Sequence, residues 1–199
     1  MYIEQGFRGK NEWWRYLLGF LATFFVSQLG AIPLIMAVAF KVMLDGGNIE
    51  SINDPNVLMT TLDSNLTLFL MLLGFAAGML GLYLFVRYVH QQSIKDLTTT
   101  RAKTDWGRVF FGFFLVATLT LVFTGISYLV LALIAIVLIP IQTSFEEYLF
   151  RGYLMQGIGV NAKNRWLPLI ITSVIFGGMH AFNPEVTKLG YVIMVYYIG

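Results

Sequence analysis

Long runs of apolar residues alternate along the chain with short polar segments, and their lengths predict helices that cross a membrane. A bilayer core needs about 20 apolar residues in helical form. The predicted spans are residues 16–40, 66–86, 109–139, 145–160 and 167–183, followed by a partial helix at 187–199. Pro140 ends the third span, because proline interrupts a helix. The predicted fold is therefore an all-α, polytopic transmembrane helical bundle, a single integral-membrane domain over residues 1–199.

The composition supports a membrane protein and narrows the possible chemistry. Hydrophobic residues make up 57% of the 199 residues and charged residues only 12%, whereas soluble proteins have about 25% charged residues. The net charge of +2 is too small to predict a nucleic-acid partner. There is no cysteine, so neither a disulfide framework nor a cysteine nucleophile is available. The sequence leaves the oligomeric state open.

The polar segments differ in the sign of their charge, and this predicts an orientation. The N-terminal segment, residues 87–108 and the turn at 161–166 carry an excess of lysine and arginine, while residues 41–65 are acidic. Basic segments favour the cytoplasmic side, so we predict a cytoplasmic N-terminus. His90 lies in one of the basic segments, and we expect it to be an interfacial side chain without chemistry.

Two weaker patterns concern packing. Gly74-x-x-x-Gly78 has the spacing that lets two membrane helices approach closely, and packing within the chain is the preferred interpretation over a dimer face. Ser144-x-x-Glu147 has the spacing of a capping box. Together with Pro140, it predicts that a new helix begins at about Phe145.

The stretch SFEEYLFR holds the only charged side chains between residues 109 and 162, namely Glu146, Glu147 and Arg151. Glu147 and Arg151 are four residues apart and share a helix face, so they can form an ion pair. That pair alone has an ordinary structural interpretation. However, an ionisable side chain at membrane depth costs at least about 2.5–3.5 kcal/mol, and the stretch contains two acids and only one base. A carboxylate kept away from water binds a proton more readily and can act as a base.

A histidine on the next helix is the candidate partner of Glu146. His180 lies 17 residues after Lys163, and Glu146 lies 17 residues before it. Two antiparallel helices joined near Lys163 therefore place Glu146 and His180 at about the same depth. Gly177 and Gly178 precede the histidine and leave space for water or substrate.

These residues resemble a known family. Glu146-Glu147-x-x-x-Arg151 is similar to the EExxxR motif of the CPBP intramembrane proteases, also called the CAAX protease or Abi family, and Phe176-x-x-x-His180 is similar to its FxxxH motif. The local match covers about residues 140–185, within a protease-like core at 140–199. The resemblance implies an intramembrane endopeptidase of the type II CAAX-prenyl-endopeptidase kind, or a related bacterial role in peptide processing or bacteriocin self-immunity.

The resemblance also implies roles for individual residues. Glu146 would activate water as the general base, and His180 would orient that water or share its proton. Glu147 and Arg151 would form the supporting pair. From its spacing alone, Asn183 is a further supporting candidate, an amide donor about one turn after His180, although Asn183-Pro184 is expected to end the helix. No cofactor is expected; the alternative is a divalent metal such as zinc on Glu146 and His180. The implied partners are a hydrophobic or prenylated peptide substrate and the lipid bilayer, and the implied location is the bacterial plasma membrane.

The sequence departs from the family pattern near its end. The family has a further helix with a second histidine, followed four residues later by Asn or Asp, but no histidine follows His180 here. We therefore expect a chain truncated at its C-terminus. Two rival hypotheses remain: a non-catalytic relative that serves in immunity or as a scaffold, and a transporter. The transporter predicts internal repeats, which the sequence does not show.

Overall fold

The structure is a computed structural model that describes residues 3–101, 103–124, 128–162, 164 and 166–181, and every regular element in these residues is a helix. The elements in chain order are a 3₁₀ helix at Ile3–Arg8, α1 at Trp13–Leu44, a 3₁₀ helix at Ile49–Asn53, α2 at Pro55–Thr60, α3 at Ser64–Phe85, a π-helical turn at Val86–His90, α4 at Ile94–Thr98, α5 at Trp106–Thr124, α6 at Leu129–Glu146, a π-helix at Glu147–Leu154, α7 at Met155–Asn161 and α8 at Trp166–His180. The predicted all-α fold class is confirmed.

Among the residues that the structure describes, three helical stretches are long and apolar enough to cross a membrane. They are Trp13–Leu44, Ser64–His90 and Leu129–Asn161. The first two correspond to the predicted spans at 16–40 and 66–86, and α8, at Trp166–His180, overlaps most of the predicted span at 167–183. The predicted partial helix at 187–199 lies outside the described residues.

The region between residues 109 and 160 differs from the prediction. Two helices, α5 and α6, stand where a single span at 109–139 was predicted, and α6 runs through Pro140 without ending. The helix then continues through the π-helix and α7, so the separate span predicted at 145–160 is wrong as well. The apolar environment explains the continuity, because backbone groups in lipid must stay bonded within the helix.

A hydroxyl group bonds to the helix backbone close to the proline. Membrane helices tolerate proline where neighbouring hydroxyl groups and local π-helical turns supply alternative bonds. The Thr143 hydroxyl donates to the carbonyl oxygens of Ile139, at 3.1 Å, and Pro140, at 3.3 Å. The π-helix begins only a few residues later, at Glu147.

The described residues form two compact units, where we expected one domain. Unit 1 comprises residues 1–20, 86–102 and 146–199, and unit 2 comprises residues 21–85 and 103–145. In unit 1, the N-terminal 3₁₀ helix and α8 both contact α7, and α4 and α8 both contact the π-helix.

In unit 2, α1 and α3 pack closely through small residues. A Cβ atom added to Gly74 would lie 3.1 Å from the Ser27 carbonyl oxygen, and one added to Gly78 would lie 2.6 Å from the Phe145 ring and 2.9 Å from Ser27. A side chain at Gly78 would overlap Phe145 and Ser27, and one at Gly74 would be tight against the α1 backbone, so both glycines permit the close approach of the helices. The prediction that Gly74-x-x-x-Gly78 serves packing within the chain is confirmed.

Candidate active site

The charged stretch lies in the middle of a long helix. Glu146 is the last residue of α6 and has helical backbone angles, φ −61° and ψ −47°, with no side-chain cap bond. The predicted capping box of Ser144 and Glu147 is therefore wrong, because no helix begins there and these backbone N–H groups are already within helical structure. The next eight residues are a π-helix, a geometry that is rare and frequent at functional sites.

The predicted ion pair between Glu147 and Arg151 is present. Arg151 Nη1 lies 3.3 Å from Glu147 Oε1, and the two side chains are 58% (Glu147) and 54% (Arg151) exposed. Glu146, the preceding residue, is half-buried, and its neighbours Phe145 and Leu149 are buried. The two adjacent carboxylates thus have different environments, because one helix step turns them to different sides.

The end of α8 positions His180. The imidazole is half-buried, and its Nδ1 lies 2.9 Å from the Phe176 carbonyl oxygen, one turn earlier in the helix. A carbonyl oxygen only accepts hydrogen bonds, so we assign the proton of this bond to Nδ1. In the neutral imidazole, Nε2 then carries the lone pair and can accept a hydrogen bond from water or bind a proton.

A contact between two aromatic rings sets the register of the π-helix against α8. The rings of Phe150 and Phe176 meet edge to face with centroids 5.4 Å apart, and the Phe176 ring also lies 4.5 Å from the His180 ring. Glu146 is four residues before Phe150, and His180 is four residues after Phe176. Since the two helices are joined by the short turn at 162–165, this register agrees with the predicted equal depth of Glu146 and His180.

The donor groups in the described residues do not make a catalytic zinc site. Zinc in catalytic sites takes three protein ligands, and no three His, Cys, Asp or Glu side chains converge within the described part of the chain. Glu146 and His180 alone fall one ligand short. Asn183, the remaining candidate from the sequence, lies outside the described residues.

A second polar cluster was missed by the sequence analysis. His90, expected in a wet interfacial position, is fully buried. Its Nδ1 lies 2.6 Å from the Lys10 carbonyl oxygen, and its Nε2 lies 2.8 Å from the Tyr153 hydroxyl oxygen. That hydroxyl also lies 3.0 Å from the Arg15 carbonyl oxygen, and the Tyr16 ring packs 4.4 Å from the imidazole. The expected exposure of His90 is therefore wrong.

The buried cluster extends through amide side chains. Gln156 Nε2 donates to the Asp96 carbonyl oxygen at 2.8 Å, and Gln92 Nε2 donates to Gln156 Oε1 at 3.2 Å and to the Gln5 carbonyl oxygen at 3.0 Å. Asp96 also forms a 2.8 Å ion pair with Arg8. These bonds connect three parts of unit 1. They are the N-terminal segment, the segment that follows α3, and helix α7. The sequence feature that could have indicated this buried cluster is a pair of polar side chains three residues apart in an apolar helix, Tyr153 and Gln156.

The fold and the candidate site together define the class of protein: an all-helical integral membrane protein with a carboxylate pair and an imidazole on adjacent helices. Comparison with known families then specifies it further. Residues 125–199 match the family model described as "Type II CAAX prenyl endopeptidase Rce1-like". This match contains both motifs and confirms the resemblance predicted from them.

The chain is also similar to a curated bacterial protein. It is 30% identical to the uncharacterized protein YyaK of Bacillus subtilis (strain 168), in an alignment that covers 90% of this chain and 64% of that protein. The chain thus spans 64% of that relative's length. No solved structure matches the chain.

Proposed function

We propose that the protein is an intramembrane endopeptidase of the CAAX-processing or Abi type, with Glu146 as general base and His180 as the group that orients the attacking water. The observation that supports this most is the ring contact between Phe150 and Phe176. It fixes a register in which Glu146 and His180 extend one turn beyond the contact on neighbouring helices. The family match over residues 125–199 supports the same reaction class.

The proposed reaction is hydrolysis of one peptide bond. His180 Nε2 accepts a hydrogen bond from a water molecule, and the Glu146 carboxylate removes the water's other proton as its oxygen attacks the carbonyl carbon of the substrate. The tetrahedral intermediate then collapses, and the C–N bond breaks. Glu146 returns its proton to the leaving nitrogen. The products are a carboxylic acid and an amine, so Glu146 ends in the state in which it began.

The neighbouring residues have supporting roles in this proposal. The ion pair of Glu147 with Arg151 holds that carboxylate on an exposed side of the helix, while Glu146, on a half-buried side, is the proposed base. Asn183 stays a supporting candidate. A divalent metal such as zinc is the alternative to an unassisted carboxylate, but no step here is routed through it, because the described donors fall short of a catalytic set.

The proposed substrate is a hydrophobic or prenylated peptide that enters from the bilayer. Polar groups at membrane depth face the interior of a bundle or a water-filled cavity, so an apolar substrate and water meet there. The protein would act in a bacterial plasma membrane with a cytoplasmic N-terminus. The basic segment at 87–108 and the acidic segment at 41–65 support this orientation.

The test is hydrolysis of a fluorogenic prenylated peptide by the full natural chain in proteoliposomes. We expect Glu146→Gln to lower kcat by about 10²–10⁴-fold, the usual contribution of a general base, with an unchanged melting temperature. Glu50→Gln is the matched control, since Glu50 is an exposed acid in the segment after α1, and it should keep the parent rate. A Glu146→Gln protein as active as the parent would exclude the proposed mechanism. No cleavage by the parent would favour a non-catalytic immunity or scaffold protein.

A further inference from the structure

In unit 2, α5 and α6 border an open groove of about 570 Å³. Its sides are apolar, with Val109, Phe113 and Val116 on α5 and Ile136 and Ile139 on α6. Several of these side chains are strongly exposed, including Val116 at 60%. In a protein of this class such a concave apolar surface is covered by something apolar rather than by water.

The length of the groove matches one half of a bilayer. Its lining on α5 extends from Arg108 to Ala117. Nine helical steps correspond to about 14 Å, close to half of the roughly 30 Å hydrocarbon core. Small residues keep the groove open: Ala117 and Ala135 line it, and a Cβ atom added to Gly112 would meet nothing within 4 Å.

At one end, the lining of the groove changes from apolar side chains to a charged one. Arg108 lines this end, and its side chain is 74% exposed. Its Nε, one of the three guanidinium nitrogens, lies 3.1 Å from a carboxylate oxygen of Asp105. Trp106, two residues earlier, is 62% exposed, and exposed tryptophan near a helix start is typical of the membrane–water interface. Thr143 and Ser144 line the groove and belong to the last turn of α6.

We propose that this groove binds one acyl chain of an anionic phospholipid from the surrounding bilayer, with the lipid phosphate on Arg108. The apolar walls match a hydrocarbon chain, and the guanidinium matches a phosphate, which it can bind through two N–H groups. The interfacial tryptophan places this charge at the depth of lipid headgroups. The site lies wholly in unit 2 and is independent of the proposed hydrolysis.

The test is a titration of the purified chain in detergent with palmitoyl-oleoyl phosphatidylglycerol or with the corresponding phosphatidylcholine, followed by native mass spectrometry. We expect one saturable lipid site with about fivefold preference for phosphatidylglycerol, because one basic residue near an anionic headgroup contributes about that factor. Arg108→Gln should remove the preference and leave phosphatidylcholine binding unchanged. Gly112→Leu should weaken binding of both lipids at least about tenfold, since its side chain adds four carbon atoms to the groove and the loss of burial of only about two acyl methylene groups has that effect.

Matched variants make the result decisive. Leu115→Phe adds bulk on the exposed side of the same helix, outside the groove, and should bind both lipids as the parent does. If Gly112→Leu fails to fold, Ala135→Leu fills the groove from its other wall. Undiminished lipid binding in both filling variants would overturn the proposal. So would equal affinity for the two lipids, or a dimer that the filling variants dissociate, since the occupant would then be a second copy of the chain.

Discussion

The two histidines of the chain occupy opposite kinds of environment within unit 1. His90 is fully buried, and both of its ring nitrogens have protein partners, the Lys10 carbonyl oxygen and the Tyr153 hydroxyl. His180 is half-buried, and its Nδ1 is hydrogen-bonded to a carbonyl oxygen of its own helix. An imidazole whose two nitrogens bond to distant segments is fixed in place, whereas one that is bonded through Nδ1 to its own helix can use Nε2 toward water or substrate.

The difference separates a residue that stabilises the fold from one that can do chemistry. His90 connects segments that are distant in the chain, since it contacts residues 80 and 63 positions away. Its loss should therefore affect folding first. His180 contacts Phe176 in its own helix, and its loss should affect the proposed hydrolysis while the fold persists. The same substitution at each site gives a direct contrast.

Among the variants that compare the two histidines, His180→Gln should have the largest effect, and that effect is on hydrolysis. Glutamine keeps a polar side chain, but its flexible amide cannot hold an acceptor at the position of Nε2 and so no longer orients the attacking water. We therefore expect kcat for the fluorogenic prenylated peptide to fall about 10²–10³-fold. The melting temperature should stay within about 2 °C of the parent, because the side chain is only half-buried and close to the end of α8. Initial rates and thermal melts measured on the same preparation check both parts. A large fall in melting temperature would show that His180 mainly stabilises the fold and would contradict the prediction.

The matched variant His90→Gln should show the reverse pattern. Glutamine cannot satisfy both the Lys10 carbonyl oxygen and the Tyr153 hydroxyl in the imidazole's geometry, and an unsatisfied buried polar group costs about 1–3 kcal/mol. For a chain of this size that corresponds to a fall of about 2–12 °C in melting temperature. The rate per folded molecule should be unchanged at a temperature well below the transition. A lower rate in fully folded protein would give His90 a part in the reaction.

A smaller effect is expected from a methyl group beside the buried cluster. A Cβ atom at Gly157 would overlap the Tyr16 ring, and Tyr16 packs directly on His90. Gly157→Ala should therefore destabilise the protein by about 1–3 kcal/mol, the usual cost of overpacking. Gly112→Ala is the control: it makes the same change in a helix with open space around it and should be neutral or stabilising by up to about 1 kcal/mol. Thermal melts of both variants compare them, and equal shifts would contradict the packing argument.

Local patterns in the sequence were enough to propose the candidate site around Glu146 and His180. The Glu147–Arg151 pair follows from a four-residue spacing on one helix face, and the register of Glu146 and His180 follows from equal distances to a short turn. Neither required knowledge of distant contacts. The family match over residues 125–199 rests on the same local stretch.

The buried cluster around His90 was not predictable from local patterns. His90 is buried because Lys10 and Tyr153 come together around it, and no spacing in the sequence indicates which distant segments will meet. The prediction that Pro140 ends a helix was also wrong, since α6 continues through it. A helix in lipid keeps its remaining backbone bonds because no water is available to replace them. The π-helix itself shifts the residues after Glu146 relative to a regular α-helix.

The most direct test of the account is whether positions 146 and 180 are neighbours. The chain has no cysteine, so a Glu146→Cys/His180→Cys double variant offers a single thiol pair to a short bis-methanethiosulfonate reagent. The account predicts efficient intramolecular cross-linking in membranes, as for Phe150→Cys/Phe176→Cys, whose native rings are 5.4 Å apart. The pair Glu146→Cys/Ile170→Cys should not react, because ten helical residues separate positions 170 and 180 by about 15 Å. Cross-linking at 146/170 and none at 146/180 would contradict the central claim.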